Sequence, residues 1–68
     1  MINIAALTNA DIGREVRYKT FGALEYGRIT SWNDKFVFVR YYLKISGDKQ
    51  IPRTGDTSEA TDPNDLEF

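Results

Sequence analysis

Hydrophobic and polar positions alternate most regularly in the middle of the chain. Residues 36–42 are almost entirely β-branched or aromatic, and such side chains fit a pleated strand better than a helix. A second run of similar character covers residues 24–32, and Asn33-Asp34 separates the two runs. Because Asn and Asp tolerate turn conformations, the pattern predicts a β-hairpin in which residues 35–43 return alongside the first run.

The same alternation divides the hairpin side chains between two faces, and it extends to a preceding strand predicted over residues 14–21. Gly27 interrupts the first hairpin strand, which predicts a bend or bulge at that position. We expect one face of these strands to form the core. The predicted core residues are Val16, Tyr18, Ile29, Val37 and Val39.

Two short helical turns are predicted, one near each end of the chain. Thr8 or Asn9 can cap a single turn that Gly13 ends, and this turn is too short to be stable by itself. Asp62-Pro63 combines a capping acid with proline at a first helical position, which predicts a 3₁₀ turn there.

Residues 44–61 are predicted to form an arm or flexible loop. The Ser-Gly-Asp sequence at residues 46–48 is a turn signal, so residues 43–53 form either a short second hairpin at the sheet edge or a mobile loop. Residues 54–61 are polar and lack large apolar side chains. We therefore expect them to be exposed and flexible.

The composition excludes most catalytic chemistry. The 68 residues form one domain with a thin core, and they include neither Cys nor His. Without these residues the common nucleophile and base pairs and the commonest metal ligands are missing, and no phosphate-binding, dinucleotide or EF-hand spacing is present. We expect no enzyme activity, no cofactor and no metal site. Because no long apolar run or leader-like segment is present, we also expect a soluble, non-secreted protein, and the missing cysteines fit a cytoplasmic location.

The near-neutral net charge conceals an asymmetry. Residues 1–53 carry nine basic and five acidic side chains, a balance of +4, whereas residues 54–68 carry five acidic side chains and no basic one. The simplest interpretation is that the acidic end folds against the basic body.

The order of elements is a short strand, a long hairpin, an arm, a 3₁₀ turn and a brief strand over residues 66–68. This order is typical of an all-β, small SH3-like five-stranded barrel with a short N-terminal helical turn. Several stretches also carry a resemblance to a known group of proteins: Asp11-Ile12-Gly13 with Val16 and Tyr18, Gly27-Arg28-Ile29-Thr30-Ser31-Trp32, Phe36-Val37-Phe38-Val39-Arg40-Tyr41, Asp62-Pro63, and Asp65-Leu66-Glu67.

In these stretches the chain resembles small uncharacterised bacteriophage and prophage proteins, which have SH3-like, Tudor or KOW-type barrels. The resemblance covers most of the single domain formed by residues 1–68, except the arm. It implies the fold and a phage origin, with the cytoplasm of the host cell as the location. It implies no catalytic or binding residue.

A set of aromatic and basic side chains forms the candidate binding site. If Val37 and Val39 point into the core, the opposite face can stack on bases and contact phosphates, or it can bind a protein partner. Alternatively, Trp32 and Phe38 are packing residues that cover the core. The candidate binding residues are Arg17, Lys19, Arg28, Trp32, Phe36, Phe38, Arg40 and Tyr42.

Three functions are compatible with these patterns. The first is a non-enzymatic module that binds a host or phage protein through the outer face of the hairpin, or binds itself as a homodimer. The second is a nucleic-acid-binding module, although an isoelectric point near 5.2 disfavours it. The third is an acidic DNA mimic that inhibits a host enzyme through residues 54–68.

Overall fold

The computed structural model describes residues 1–53 and 57–68. Over these residues the protein is an antiparallel β-structure with 3₁₀ turns and without an α-helix, and no helix in the described part is long and apolar enough to cross a membrane. The 3₁₀ turns cover Ile4–Ala6, Asn9–Asp11 and Pro63–Asp65. The strands are β1 (Glu15–Thr20), β2 (Ala23–Trp32), β3 (Val37–Ser46), β4 (Lys49–Pro52), β5 (Glu59–Thr61) and β6 (Leu66–Glu67).

All strand pairs are antiparallel, and the sheet order is β4-β3-β2-β1-β6. Strand β5 pairs with the first part of β3, whereas β4 pairs with its last part, so both lie along the edge of β3 that β2 does not occupy. The all-β prediction is confirmed. The described sheet has six strands and its hydrogen-bonded path does not close on itself, so the predicted five-stranded barrel is not confirmed.

The core lies between the three long strands and the two ends of the chain. Val16, Ile29, Val37 and Val39 are buried as predicted, and Tyr18 packs against them. The buried side chains of this core are Ile2, Val16, Ile29, Val37, Val39, Tyr41 and Leu66.

Both ends of the chain contribute to the core. Ile2 was not among the predicted core residues, and its backbone N–H donates to the Pro63 carbonyl at 2.9 Å. Leu66 lies directly opposite Tyr18 and is completely buried, whereas Phe68 is partly exposed beneath the Arg14 guanidinium, 3.6 Å from the ring centre. The chain ends are therefore held together through packing and backbone contacts.

The two predicted helical turns are confirmed. In the first, the Asp11 carboxylate accepts a hydrogen bond from the Thr8 backbone N–H at 2.9 Å and another from Arg14 at 3.1 Å, which lowers the pKa of Asp11. In the second, the Asp62 carboxylate accepts from the Asn64 N–H at 2.9 Å. Both acids thus satisfy backbone donors at the start of a turn.

The turn of the long hairpin contains four residues. The Asn33 side-chain oxygen accepts from the backbone N–H groups of Lys35 and Phe36, at 2.8 and 2.7 Å, and the Asn33 N–H donates to the Phe36 carbonyl. Because of these contacts, residues 33–36 form the turn and do not take part in the pairing of β2 with β3. As a result β3 begins at Val37, two residues later than predicted, and continues to Ser46.

Two bulges interrupt the pairing of β2 with β3. Tyr26 lies opposite Leu43 and Gly27 lies opposite Tyr41, so Tyr42 is an extra residue on β3. The bulge predicted at Gly27 is therefore confirmed. A second register shift between Ile29 and Ser31 leaves Thr30 as an extra residue on β2, and the sequence pattern did not indicate it.

Gly27 is required because the two backbones approach closely at the first bulge. A Cβ atom at this position would lie 2.5 Å from Cγ1 of Val39 and 2.8 Å from the Arg40 carbonyl oxygen. The second of these atoms belongs to the backbone and cannot rotate away. A side chain at residue 27 would therefore push β2 and β3 apart at the centre of the core.

The arm is a second hairpin at the sheet edge over residues 43–52, as the first of the two alternatives predicted. Residues 54–61 were predicted to be exposed and without regular structure, but Glu59–Thr61 form β5. Glu59 and Ala60 are exposed as predicted, whereas Thr61 is buried. Pairing with β3 orders this polar stretch. The first part of the prediction, over residues 54–56, lies outside the described residues.

We predict that Gly27→Ala lowers the free energy of unfolding by about 3 kcal/mol, because the added methyl group overpacks the core at a backbone contact. Gly22→Ala is the matched control. Gly22 has φ +77° and open space around it, so the same change there introduces only backbone strain of about 1 kcal/mol. Urea unfolding measures both values, and equal losses would contradict the close-contact explanation.

Candidate functional site

Residues directly opposite each other on neighbouring strands point to the same side of a sheet, so the register defines the surface opposite the core. Arg17, Tyr26 and Leu43 form one row across β1, β2 and β3. Lys19, Leu24 and Ile45 form the next row. We call this surface the outer face, and its residues on β1, β2 and β3 are Glu15, Arg17, Lys19, Leu24, Tyr26, Arg28, Ser31, Phe38, Arg40, Tyr42, Leu43 and Ile45.

Six of the eight candidate binding residues lie on the outer face. Phe36 is outside it, in the four-residue hairpin turn, where its side chain is 42% exposed. Trp32 is on the opposite side of the sheet. The six residues that the fold brings together on one surface are Arg17, Lys19, Arg28, Phe38, Arg40 and Tyr42.

The prediction that Trp32 points away from the core is wrong. Because Thr30 is an extra residue in the second bulge, the alternation along β2 reverses after Ile29. Trp32 therefore lies opposite the buried Val37 and packs against the core cluster. The alternative interpretation of Trp32 as a packing residue is correct, and Trp32 is removed from the candidate site.

Four apolar residues of the outer face were not among the predicted binding residues. Leu24 lies opposite Ile45 and Tyr26 lies opposite Leu43, and all four side chains are partly buried without belonging to the core cluster. We call these four residues the apolar strip. Residues 24 and 26 are two positions apart, as are residues 43 and 45, which is the spacing of side chains on one face of a strand. The bulge at Gly27 shifts the register between β2 and β3, so the sequence pattern did not show that both pairs lie on the same face.

Basic side chains border the apolar strip on the β1 side. Lys19 is 3.2 Å from the Glu67 carboxylate and Arg17 is 3.6 Å from it, and Arg17 also donates to the Phe68 carbonyl at 3.1 Å. These contacts, with Lys19 contributing most, lower the pKa of Glu67. This border is therefore partly neutralised by the acidic end of the chain.

A second basic border lies across the strands, beyond Tyr26. Arg28 and Arg40 are directly opposite each other on β2 and β3, and Arg28 also donates to the Gly13 carbonyl at 3.0 Å. Glu15 lies opposite Arg28 on β1 and accepts a hydrogen bond from the Tyr42 hydroxyl, which raises the pKa of Tyr42. The row therefore contains one acid and two bases.

A polar cleft of about 270 Å³ opens on the other side of the sheet. Arg53 crosses it, pairing with Glu25 and with Glu59 at 3.0 Å while its guanidinium lies 5.4 Å from the Tyr41 ring centre. Hydrogen bonds to these carboxylates raise the pKa of Arg53, and the bond to Glu59 contributes most. The cleft is lined by Tyr18, Glu25, Tyr41, Arg53, Glu59, Ala60, Thr61, Asp62 and Asp65.

The base of the cleft is a buried pair of hydroxyl groups. The Tyr41 hydroxyl is 2.7 Å from the Thr61 hydroxyl, and both residues are 6% exposed. Burial raises the pKa of Tyr41 to about 12, so this phenol stays protonated at neutral pH. The hydroxyl pair and Arg53 join the central strands to β5, which gives the cleft a structural role.

The outer face and the polar cleft differ in what they offer a ligand. In the part of the chain that the structure describes, no three His, Cys, Asp or Glu side chains are grouped so that they could hold a metal ion. The cleft carboxylates Glu25 and Glu59 are already paired with Arg53. The outer face instead presents partly buried apolar side chains beside cations, and this arrangement is suited to binding.

Comparisons of the chain with protein-family models, curated proteins and solved structures found no match. The function is therefore inferred from the geometry of the outer face.

We predict that Trp32→Ala lowers the free energy of unfolding by about 2 kcal/mol, because it removes an aromatic ring that packs against the core. Phe36→Ala is the control, since this aromatic side chain lies in the exposed turn and its loss should change stability by less than about 0.5 kcal/mol. Thermal and urea unfolding measure both effects. A Trp32 effect as small as that of Phe36 would contradict the assignment.

We predict that alkaline pH lowers the free energy of unfolding of the wild type more than that of Tyr41→Phe. The pKa of Tyr41 is higher in the folded chain, about 12, than in the unfolded chain, about 10. The stability linked to this group is therefore complete below pH 10 and is lost as the pH rises towards 12. Between pH 8 and pH 11 the wild type should lose about 1 kcal/mol more than the variant in urea unfolding, and parallel profiles would contradict this.

Proposed function

We propose that the protein is a non-enzymatic module with an SH3-like scaffold that binds a protein partner through its outer face. The apolar strip carries this proposal. Leu24, Tyr26, Leu43 and Ile45 lie together on one sheet surface, are partly buried and do not belong to the core. Contiguous apolar side chains outside the core of so small a domain are typical of an interaction surface.

The path of the last residues supports the SH3-like part of the proposal. Strand β5 runs along β3, the 3₁₀ turn Pro63–Asp65 follows, and β6 then pairs with β1 at the opposite edge of the sheet. One short segment thus contacts both edges of the three long strands and contributes Leu66 to the core. A phage origin is part of the same proposal and rests on the resemblance alone.

The residue types on the outer face favour a protein partner. Aromatic residues and arginine are enriched where protein interfaces are buried, and the outer face combines Tyr26 and Tyr42 with Arg28 and Arg40. Aliphatic side chains add contact area that a protein surface can cover. The partner is either another protein or a second copy of this chain.

Nucleic-acid binding is the second candidate. The observation that favours it is the juxtaposition of Arg28 and Arg40 with Tyr42 on one surface, since cations beside aromatic rings suit single strands. The aliphatic residues of the apolar strip do not stack on bases. The isoelectric point near 5.2 also weakens attraction to phosphates.

The acidic DNA mimic is the least supported of the three functions. Glu59 pairs with Arg53, and Glu67 pairs with Lys19 and Arg17, so these carboxylates neutralise the body of the protein. Asp56 lies outside the described residues. This arrangement agrees with the prediction that the acidic end folds against the basic body.

We predict that Ile45→Ser abolishes partner binding while Ile51→Ser preserves it. Ile45 belongs to the apolar strip, whereas Ile51 lies opposite Lys44 on the other side of the sheet, so the same chemical change tests each side. Both variants should unfold within a few degrees of the wild type. The measurement is quantitative affinity capture with the three proteins in parallel, followed by light scattering for self-association.

The expected result is one protein, or a second copy of the chain, that the wild type and Ile51→Ser bind and that Ile45→Ser does not. Equal binding by the two variants would place the interface elsewhere. Binding of single-stranded DNA that weakens steeply with salt and is insensitive to Ile45→Ser would favour the second candidate.

A further inference from the structure

The turn between β1 and β2 carries the most exposed large hydrophobic side chain of the described residues. Phe21 is 109% exposed, so its ring lies entirely in solvent. Gly22, with φ +77°, supplies the positive φ of this turn, whereas Phe21 has no such requirement. A polar residue at position 21 would therefore serve the turn equally well, and neither the turn nor the core explains the aromatic ring.

An open apolar groove lies at the other end of the sheet, and we call it the terminal groove. Its volume of about 560 Å³ is within the range of sites that bind small ligands. Its floor is firm, because Ile2 is buried and Ile4 packs against the core. The groove is lined by Met1, Ile2, Asn3, Ile4, Ala5, Asp34 and Pro63.

The length of β2 separates Phe21 from the terminal groove. Strand β2 begins at Ala23, two residues after Phe21, and ends at Trp32, two residues before Asp34 of the groove lining. At about 3.3 Å per residue the strand spans up to roughly 30 Å, and the longest dimension of the molecule is 35 Å. Phe21 therefore cannot reach the groove of its own chain, and a contact between them needs a second molecule.

The charges beside the two features are opposite in sign. Asp34 lines the terminal groove, while Lys49 lies in the last row of the sheet, about 10 Å from Ala23 across two strand spacings. Neither Asp34 nor Lys49 forms an ion pair with another residue of the described chain. The end of the molecule that carries Phe21 thus brings an aromatic ring and a nearby cation, and the groove offers apolar walls and a carboxylate.

We propose that the protein associates head to tail with copies of itself, with Phe21 of one copy inserted into the terminal groove of the next. The contact joins two different surfaces, so it produces an open chain or a ring of copies and not a two-fold dimer. This inference goes beyond the proposed function, because it uses neither the outer face nor the partner that binds there.

The small area of the contact sets its strength. A buried phenylalanine ring contributes about 200 Å². A stable protein complex buries about 800 Å² on each partner. We therefore expect a weak and reversible association, with a dissociation constant on the order of 1 mM.

The test uses two variants that each lose one half of the contact. Phe21→Ser removes the ring and keeps the groove. Ala5→Trp fills the groove from an exposed lining position and keeps Phe21. Ile12→Ser is the control, since Ile12 is also exposed but belongs to neither feature. Sedimentation velocity is measured up to millimolar concentration, and thermal unfolding checks that each variant is folded.

We expect the wild type and Ile12→Ser to form larger species as concentration rises, and Phe21→Ser and Ala5→Trp each to stay monomeric alone. An equimolar mixture of these two variants should form a dimer and nothing larger, because one copy supplies the groove and the other supplies the ring. A wild type that stays monomeric, undiminished association of Phe21→Ser, or a mixture of folded variants without a dimer would overturn the inference.

A second measurement does not depend on the folding of Ala5→Trp. Isotope-labelled Phe21→Ser is titrated with unlabelled wild type and, separately, with unlabelled Phe21→Ser, and amide chemical shifts are recorded by NMR. We expect shifts at residues 2–5 with the wild type only. Equal shifts with both titrants, or shifts confined to the outer face, would overturn the inference. The proposed function would then still stand or fall by the comparison of Ile45→Ser with Ile51→Ser.

Discussion

The close approach of β2 and β3 at Gly27 is the constraint on which the rest of the structure depends. At this point the Val39 side chain and the Arg40 carbonyl occupy the space that a Cβ atom would need. The absence of a side chain lets the two strands bend together, and Tyr42 is displaced as the extra residue of the bulge. Tyr41 lies opposite Gly27, and its hydroxyl is 2.7 Å from the Thr61 hydroxyl at the base of the cleft.

The two bulges also determine which residues are available to a partner. The bulge at Tyr42 places Leu43 and Ile45 on the outer face with Leu24 and Tyr26. The bulge at Thr30 reverses which side chains of β2 face the core after Ile29. Simple alternation assigns Trp32 to the surface, but the bulge at Thr30 packs it against the core. The bulge at Tyr42 brings the aliphatic residues Leu24, Leu43 and Ile45 together in the proposed interface.

The acidic end of the chain has a structural role that net charge alone does not reveal. Thr61 and Leu66 are buried, while Glu59 and Glu67 form ion pairs with basic residues of the body. Exposed ion pairs contribute little individually, so the packing of Leu66 and the pairing of β5 and β6 hold this segment. The charges of the acidic end therefore complement the basic body of the protein.

The sequence by itself determined the all-β class, the long hairpin, two of the three described helical turns and most of the core, because these follow from local chemistry: alternation, turn residues and caps. The fold places six of the eight candidate binding residues on one surface. Only the tertiary structure decided the position of Trp32, the apolar strip, and the burial of Ile2 and Thr61. A single extra residue reverses the alternation of a strand, and the ends of the chain become ordered by contacts with distant residues, so neither effect can be read from a local pattern.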